Sequence, residues 1–138
     1  MHRHVMGLMA LVVGVAFGVS PTPALAQVGQ PVVQHDTYVQ DDPGRAVAAS
    51  CVASAVVTGS SMTVVVAGSA LAPGPGIRVG CGIVQGGRVV RSFTNAVPGS
   101  LAATAGMGTL SVAPYRVCLN LYVSFIDGSE VRYNGCPV

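Results

Sequence analysis

The 138-residue chain contains no Trp and no Lys, and only 9% of its residues are charged. All of its seven cations are Arg, against five carboxylates, for a formal net charge of +2. A balance this close to neutral argues against nucleic acid or an anionic membrane surface as the main partner, since both call for clustered positive charge. So apolar a composition, 51% by residue, also argues against a disordered chain, which needs low hydrophobicity and high net charge. The length allows one domain.

Histidine is nearly absent where catalysis would need it. Two of the three, His2 and His4, lie in a basic start followed by a 15-residue apolar run (5–19), then Pro21, Pro23 and Ala24-Leu25-Ala26. Basic start, short apolar stretch and small-residue cleavage site make up a secretory signal over residues 1–26. The run is too short for a transmembrane helix, which needs roughly 20 residues. No Cys stands just after Ala26, the first being Cys51, so the signal is of the general secretory type without a lipid-attachment box. Export is therefore expected, either free in the medium or wall-associated, with no stable membrane insertion after cleavage. The chain left from Gln27 has 112 residues, six Arg, four Asp, one Glu and His35 alone, a net charge of +1.

All four cysteines, Cys51, Cys81, Cys118 and Cys136, survive cleavage. An even number in a small exported chain reads as two disulfides. Zinc sites bring ligands two to four residues apart, whereas the gaps here are 30, 37 and 18; no metal and no cofactor is expected. Four cysteines allow three pairings. Cys81–Cys118 with Cys51–Cys136 is favoured, the latter joining the first strand to the last. Alternation sets Cys81 on an apolar face but Cys118 on a polar one, a conflict that a bulge at Gly80 or Gly82 would relieve. Without that bulge, Cys118–Cys136 on the outer face is the better pair.

Residues 27–45 are rich in Gln, Asp, Pro and Gly and read as a flexible arm. The segments 46–57 and 62–67 read as strands from their β-branched residues, and 77–85 from alternation of Ile77, Val79, Cys81 and Ile83 with small or polar residues. Gly86-Gly87 marks a two-residue hairpin into 88–93. A weaker strand covers 100–112. The clearest covers 115–126, with Val117, Leu119, Leu121, Val123 and Phe125 on one face. Asp127-Gly128-Ser129 turns the chain into 130–136, and pairing Phe125 with Val131 would put Val123 against Tyr133. About seven short strands predict an immunoglobulin-like antiparallel β-sandwich over 46–138, stapled by two disulfides. Tyr115 to Cys118 resembles the Tyr-then-Cys corner of immunoglobulin domains. The spacing is one residue longer and the Trp of that motif is absent, so the resemblance concerns architecture alone.

Catalytic constellations are scarce. His35 falls in the arm, away from any Ser-His-Asp arrangement. The carboxylate pairs are Asp41 with Asp42, and Asp127 with Glu130 around a turn that Asp and Gly form for backbone reasons. No Gly motif precedes a helix and no run of Asp or Asn suits calcium. The reading is a non-enzymatic protein. The richer feature is a row of cations on strands of one sheet: Arg78, Arg88 or Arg91 (Arg91 being favoured), Arg116 and Arg132, with Tyr122 as the outward aromatic. Such a face would bind an acidic polymer or the carboxylates of an extracellular protein. The sequence thus suggests a secreted binding or interaction domain. The alternative is a small secreted inhibitor of an extracellular protease or other hydrolase, presenting the loop 70–76 or 95–99. The Arg-only, Ala/Val/Gly-rich composition resembles that of exported proteins of high-GC Gram-positive bacteria.

Overall fold

A computed structural model describes residues 32–137 of the chain, so the expected signal at 1–26 lies outside the described residues. The described chain runs through eight strands. They are β1 (Val32–Gln40), β2 (Val47–Thr58), β3 (Ser61–Leu71), β4 (Pro75–Gln85), β5 (Arg88–Pro98), β6 (Leu101–Ser111), β7 (Arg116–Phe125) and β8 (Glu130–Asn134). They form two four-stranded antiparallel sheets, ordered β1-β2-β3-β6 and β5-β4-β7-β8. The fold is an all-β sandwich, with one strand more than the expected seven. The second sheet has the strand order of an immunoglobulin C′-C-F-G sheet. In the first, β3 folds back on β2 as a hairpin and so separates β2 from β6.

The extra strand is β1, which corrects the reading of 27–45 as a flexible arm. Residues 32–40 pair along their whole length with β2. Their polar composition misled because Gln34 and Asp36 are the buried side chains of this strand, while Val33 and Val39 are exposed.

Alternation sets the core. Ala49, Cys51, Ala53, Ala55 and Val57 of β2 face Ile77, Val79, Cys81 and Ile83 of β4 and the odd-numbered apolar residues of β7. Burying these side chains is the main term holding the sheets together, at about 25 cal/mol per Å² of apolar surface. Tyr115, fully buried just before β7, donates its hydroxyl to the carbonyl of Val32 at 2.5 Å. The small residues of β2 leave room for that ring.

The favoured disulfide pairing is overturned. Cys51 bonds Cys81 across the core, joining the two sheets, and Cys118 bonds Cys136 on the outer face of the second sheet. Neither Gly80 nor Gly82 carries a bulge that would turn Cys81 outward; the register irregularity lies at Ile83/Val84 instead. Both cysteines therefore keep the faces that alternation assigns them. Each bridge has a glycine beneath it. A Cβ on Gly68 would fall on Cys81 Sγ, and one on Gly82 would stand 2.7 Å from Cys118 Sγ.

Turn chemistry fixes the registers. Gly86 and Gly87, at φ 59° and 75°, make the predicted two-residue hairpin between β4 and β5, with left-handed backbone at both positions. Between β7 and β8 the register differs from expectation by two residues: Val123 faces Val131, and Leu121 faces Tyr133. The Phe125 N–H closes onto the Ser129 carbonyl, so the turn is centred one residue earlier than foreseen. A two-residue shift preserves the face, and Val131 stays in the core.

The two lateral seams of the sandwich are closed by side chains. On one side Phe93 of β5 lies over Gly106 of β6, Arg91 lies over Gly108, and the Asn95 amide donates to the Ala103 carbonyl at 2.9 Å. On the other, Asp36 of β1 reaches β7 and β8. Such cover protects strand edges that would otherwise recruit other chains.

Candidate functional site

The central strands of the second sheet bring three of the five expected face residues into one row. Arg78 of β4 pairs with Tyr122 of β7, which pairs with Arg132 of β8. All three are at outward positions. The Arg132 guanidinium carbon lies 5.0 Å from the centre of the Tyr122 ring and that of Arg78 lies 5.4 Å from it. Cations at this range are attracted by the negative face of an aromatic ring. The ring is therefore a spacer that holds two guanidiniums at set positions.

Glu130 completes the cluster. One carboxylate oxygen accepts the Tyr122 hydroxyl at 2.7 Å; the other accepts Arg132 Nε and Nη2 at 3.2 and 3.1 Å. The Tyr122 hydrogen bond, aided by Arg132, holds the Glu130 carboxyl below its ordinary range. The same bond to Glu130 raises the Tyr122 hydroxyl. Glu130 thus balances Arg132, and Arg78 has no ion-pair partner among the described residues. The cluster carries one net positive charge, centred toward Arg78.

A shallow hollow of about 370 Å³ opens beside Arg78. Its floor is Gly76, Ala96, Val97 and Pro98, and its polar rim is Arg78, Tyr122 and Ser124. Gly76 matters because it lets the surface dip between β5 and β7. The arrangement can hold a carboxylate by the guanidinium fork of Arg78 while an apolar stem rests on the floor.

The other expected residues stand apart. Arg116 is on the same outer face, but six positions along β7 from Tyr122, about 20 Å away. It is half-buried and donates to the Gly135 carbonyl at 3.1 Å. Arg91 is turned toward the β5–β6 seam, where it donates to the carbonyls of Val90 and Thr109. The cysteines all serve in disulfides.

Among the groups weighed for catalysis, His35 is exposed on the other sheet, opposite Val52. Asp127 is occupied by the Ser129 hydroxyl and N–H and by Arg45 at 2.5 Å, which bring its carboxyl down to about 2. Asp42 belongs to the turn that its carbonyl closes with the Arg45 N–H. No group of three or more His, Cys, Asp and Glu among the described residues is placed to hold a metal ion. The segments 70–76 and 95–99, expected as exposed loops, are largely strand: 70–71 end β3, 75–76 begin β4 and 95–98 end β5. The short connections that remain are tied together, Ala72 N–H donating to the Ser100 carbonyl and Gly99 N–H to that of Pro75.

Two features escaped the sequence reading. Glu130 was seen as half of a carboxylate pair, whereas its place opposite Ser124 makes it the neighbour of both Tyr122 and Arg132. Asp36 was placed in the arm. The alternation of Val33, His35, Thr37 and Val39 with Gln34, Asp36 and Tyr38 was the signal available for it, but the polar set points inward. In comparisons with known proteins, no family model, no curated protein and no solved structure matches this chain.

Proposed function

We propose that the protein is an exported, non-enzymatic binding domain that takes carboxylate-bearing chains on the Arg78–Tyr122–Arg132 row. The observation that carries this reading is Arg78, held over Tyr122, free of an ion pair, and set at the rim of a hollow with an apolar floor. Export is supported by the two disulfides, which persist in oxidising compartments, and by the signal pattern at 1–26. Among the described residues no helix is long and apolar enough to cross a membrane.

Affinity electrophoresis of the oxidised protein through gels containing polygalacturonate, poly-glutamate or neutral dextran tests the reading. Retardation by the two polyanions, weakening with salt and reduced about tenfold by Arg78→Ala, is expected. Arg116→Ala, some 20 Å away, should change it much less. Equal retardation by dextran, or an Arg78→Ala variant that binds like the parent, would sink the assignment.

A further inference from the structure

The two outer faces of the sandwich differ in kind. Every outward position of β1, β2, β3 and β6 is uncharged apart from His35, the one titratable side chain on that face among the described residues. Large apolar side chains are nonetheless exposed there, Met107 at 69%, Leu101 at 64% and Val33 at 60%. The ionic groups lie on the other face, in loops or in the seams. Large apolar side chains exposed among Ser and Thr on a face without carboxylate, Lys or Arg mark an interaction site.

The strand registers sort this face into rows running across the sheet. Two rows are raised: Val39–Ala48–Leu71–Leu101, and Val33–Ser54–Val65–Met107. Between them lie Thr37–Ser50–Ser69–Ala103, made of small residues, and His35–Val52–Ala67–Ala105, which is low on β3 and β6 but carries the exposed His35 and Val52 on β1 and β2. A hollow of about 340 Å³ follows the first of these. Beyond Met107 the face ends in rows of small and β-branched residues, Val56–Thr63–Thr109 and Thr58–Ser61–Ser111.

We propose that this face pairs with the same face of a second copy of the chain. The row order makes the surface complementary to itself. A two-fold axis lying in the interface, across the strands between Ala67 and Val65, reverses the rows. It sets the Met107 row of each copy on the Ala105 row of the other, and the Leu101 row on the small Ser111 row. Met107 then meets Ala105, Val65 meets Ala67, Val52 meets Ser54, and Leu71 and Leu101 meet Ser61 and Ser111, so large faces small on β2, β3 and β6, and no charge meets its like. A symmetric dimer requires such self-complementarity.

The area is sufficient. Three strands of about 11 residues and half of β1, at ~3.3 Å per residue and ~4.8 Å between strands, present about 600 Å², the low end of the standard range of ~600–1,000 Å² per partner. The small residues allow the ~10 Å separation of stacked sheets. Pairing here leaves the two Arg78–Tyr122–Arg132 rows outward on opposite sides. If that row binds as proposed above, the pair is bivalent; the pairing itself does not depend on it.

Sedimentation velocity of the oxidised protein, without any ligand, provides the test. A concentration-dependent dimer, formed below about 100 µM, is expected. Ala67→Glu and Met107→Arg, both at exposed positions, should each give a folded monomer by circular dichroism and shift the dissociation constant at least tenfold. Val65 of one copy faces Ala67 of the other, so Val65→Arg combined with Ala67→Glu should restore the dimer that Ala67→Glu alone loses. A monomer at every concentration overturns the proposal and assigns the face to a different occupant. A dimer that survives both single substitutions, or a double variant that stays monomeric, also overturns it.

Discussion

The carboxylate of Asp36 in β1 accepts the backbone N–H of Leu119 in β7 at 2.8 Å, across the gap between the two sheets. Its other oxygen accepts the Tyr133 hydroxyl at 3.0 Å, and Gly135 leaves the space in which the carboxylate sits. Asp36 is 4% exposed, so this is where a polar strand is fastened to an apolar sandwich. Asp36→Ala should leave the Leu119 N–H and the Tyr133 hydroxyl without acceptors and cost about 2–3 kcal/mol. Tyr133→Phe, which removes one donor and leaves the carboxylate its main-chain partner, should cost about 1 kcal/mol. Urea unfolding of the two variants measures both; an Asp36→Ala protein as stable as the parent would show that β1 is held by other contacts.

The Cys51–Cys81 bridge and Gly68 share one volume. A methyl group at Gly68 would collide with Cys81 Sγ, and Cys51 is the cross-strand neighbour of Gly68. Gly68→Ala should therefore destabilise by about 1–3 kcal/mol through overpacking. In a background carrying Cys51→Ala and Cys81→Ala the same substitution should cost less, because the sulfur atoms are gone and only Thr104 Cγ2, 3.0 Å from the added methyl, has to give way. Removing that bridge costs about 3–4 kcal/mol by loop-closure entropy, and removing Cys118–Cys136 slightly less, since it closes a shorter loop. Peptide mapping without reductant should recover 51–81 and 118–136; recovery of 81–118 would contradict the sandwich as described.

The same residues show what could be read before the structure. Alternation in β7 assigned Leu119 inward and Cys118 outward correctly, because one face of a sandwich strand is dry and the other wet. It also argued against joining Cys81, inward, to Cys118, outward, whereas the run of Ala, Ser and Val around Cys51 marks no dry side and left that cysteine without a face. A bridge from Cys51 to Cys136 would have had to run from the core to the outer face of the second sheet. β1 was hidden for a different reason. Its inward face is made of Gln34, Asp36 and Tyr38, which hydropathy patterns score as surface, and no local rule reveals that an N–H of Leu119 waits 83 positions away. Of the candidate site, Arg78, Tyr122 and Arg132 followed from parity. Arg91 did not, because β5 turns toward β6 to cover the edge of the sandwich.

Alkaline pH should unfold the protein before its buried tyrosines ionise. Burial raises the Tyr115 hydroxyl from 10.0 to about 12, and burial with the Asp36 carboxylate beside it raises Tyr133 to about 12. In the unfolded chain both release protons near 10, while the folded chain keeps them. The stability they contribute is complete below pH 10 and is lost as pH rises toward 12. Tyr115 alone should account for about 2–3 kcal/mol over that window. Urea midpoints at pH 9 and 11.5, with tyrosinate absorbance followed in parallel, check this. Stability that stays flat across the window would contradict the burial of Tyr115.

Phe93 and Gly106 close the β5–β6 seam as a pair. The Phe93 ring fills the space a side chain at Gly106 would take, so the glycine acts as a socket for the ring. Gly106→Ala should expel the ring, open the seam and cost about 1–3 kcal/mol. Phe93→Ala removes a half-buried aromatic and should cost a comparable amount. Combining them should cost less than the two separately, by about 1 kcal/mol or more, because the alanine then enters vacated space. Strict additivity in that cycle would mean that the ring does not rest on β6. Hydrogen exchange adds a spatial check: protection in the Gly106→Ala protein should fall first along β5 and β6, whose edges depend on the ring and on the Asn95–Ala103 hydrogen bond. The β7–β8 hairpin, fastened through Asp36 on the far side, should keep its protection.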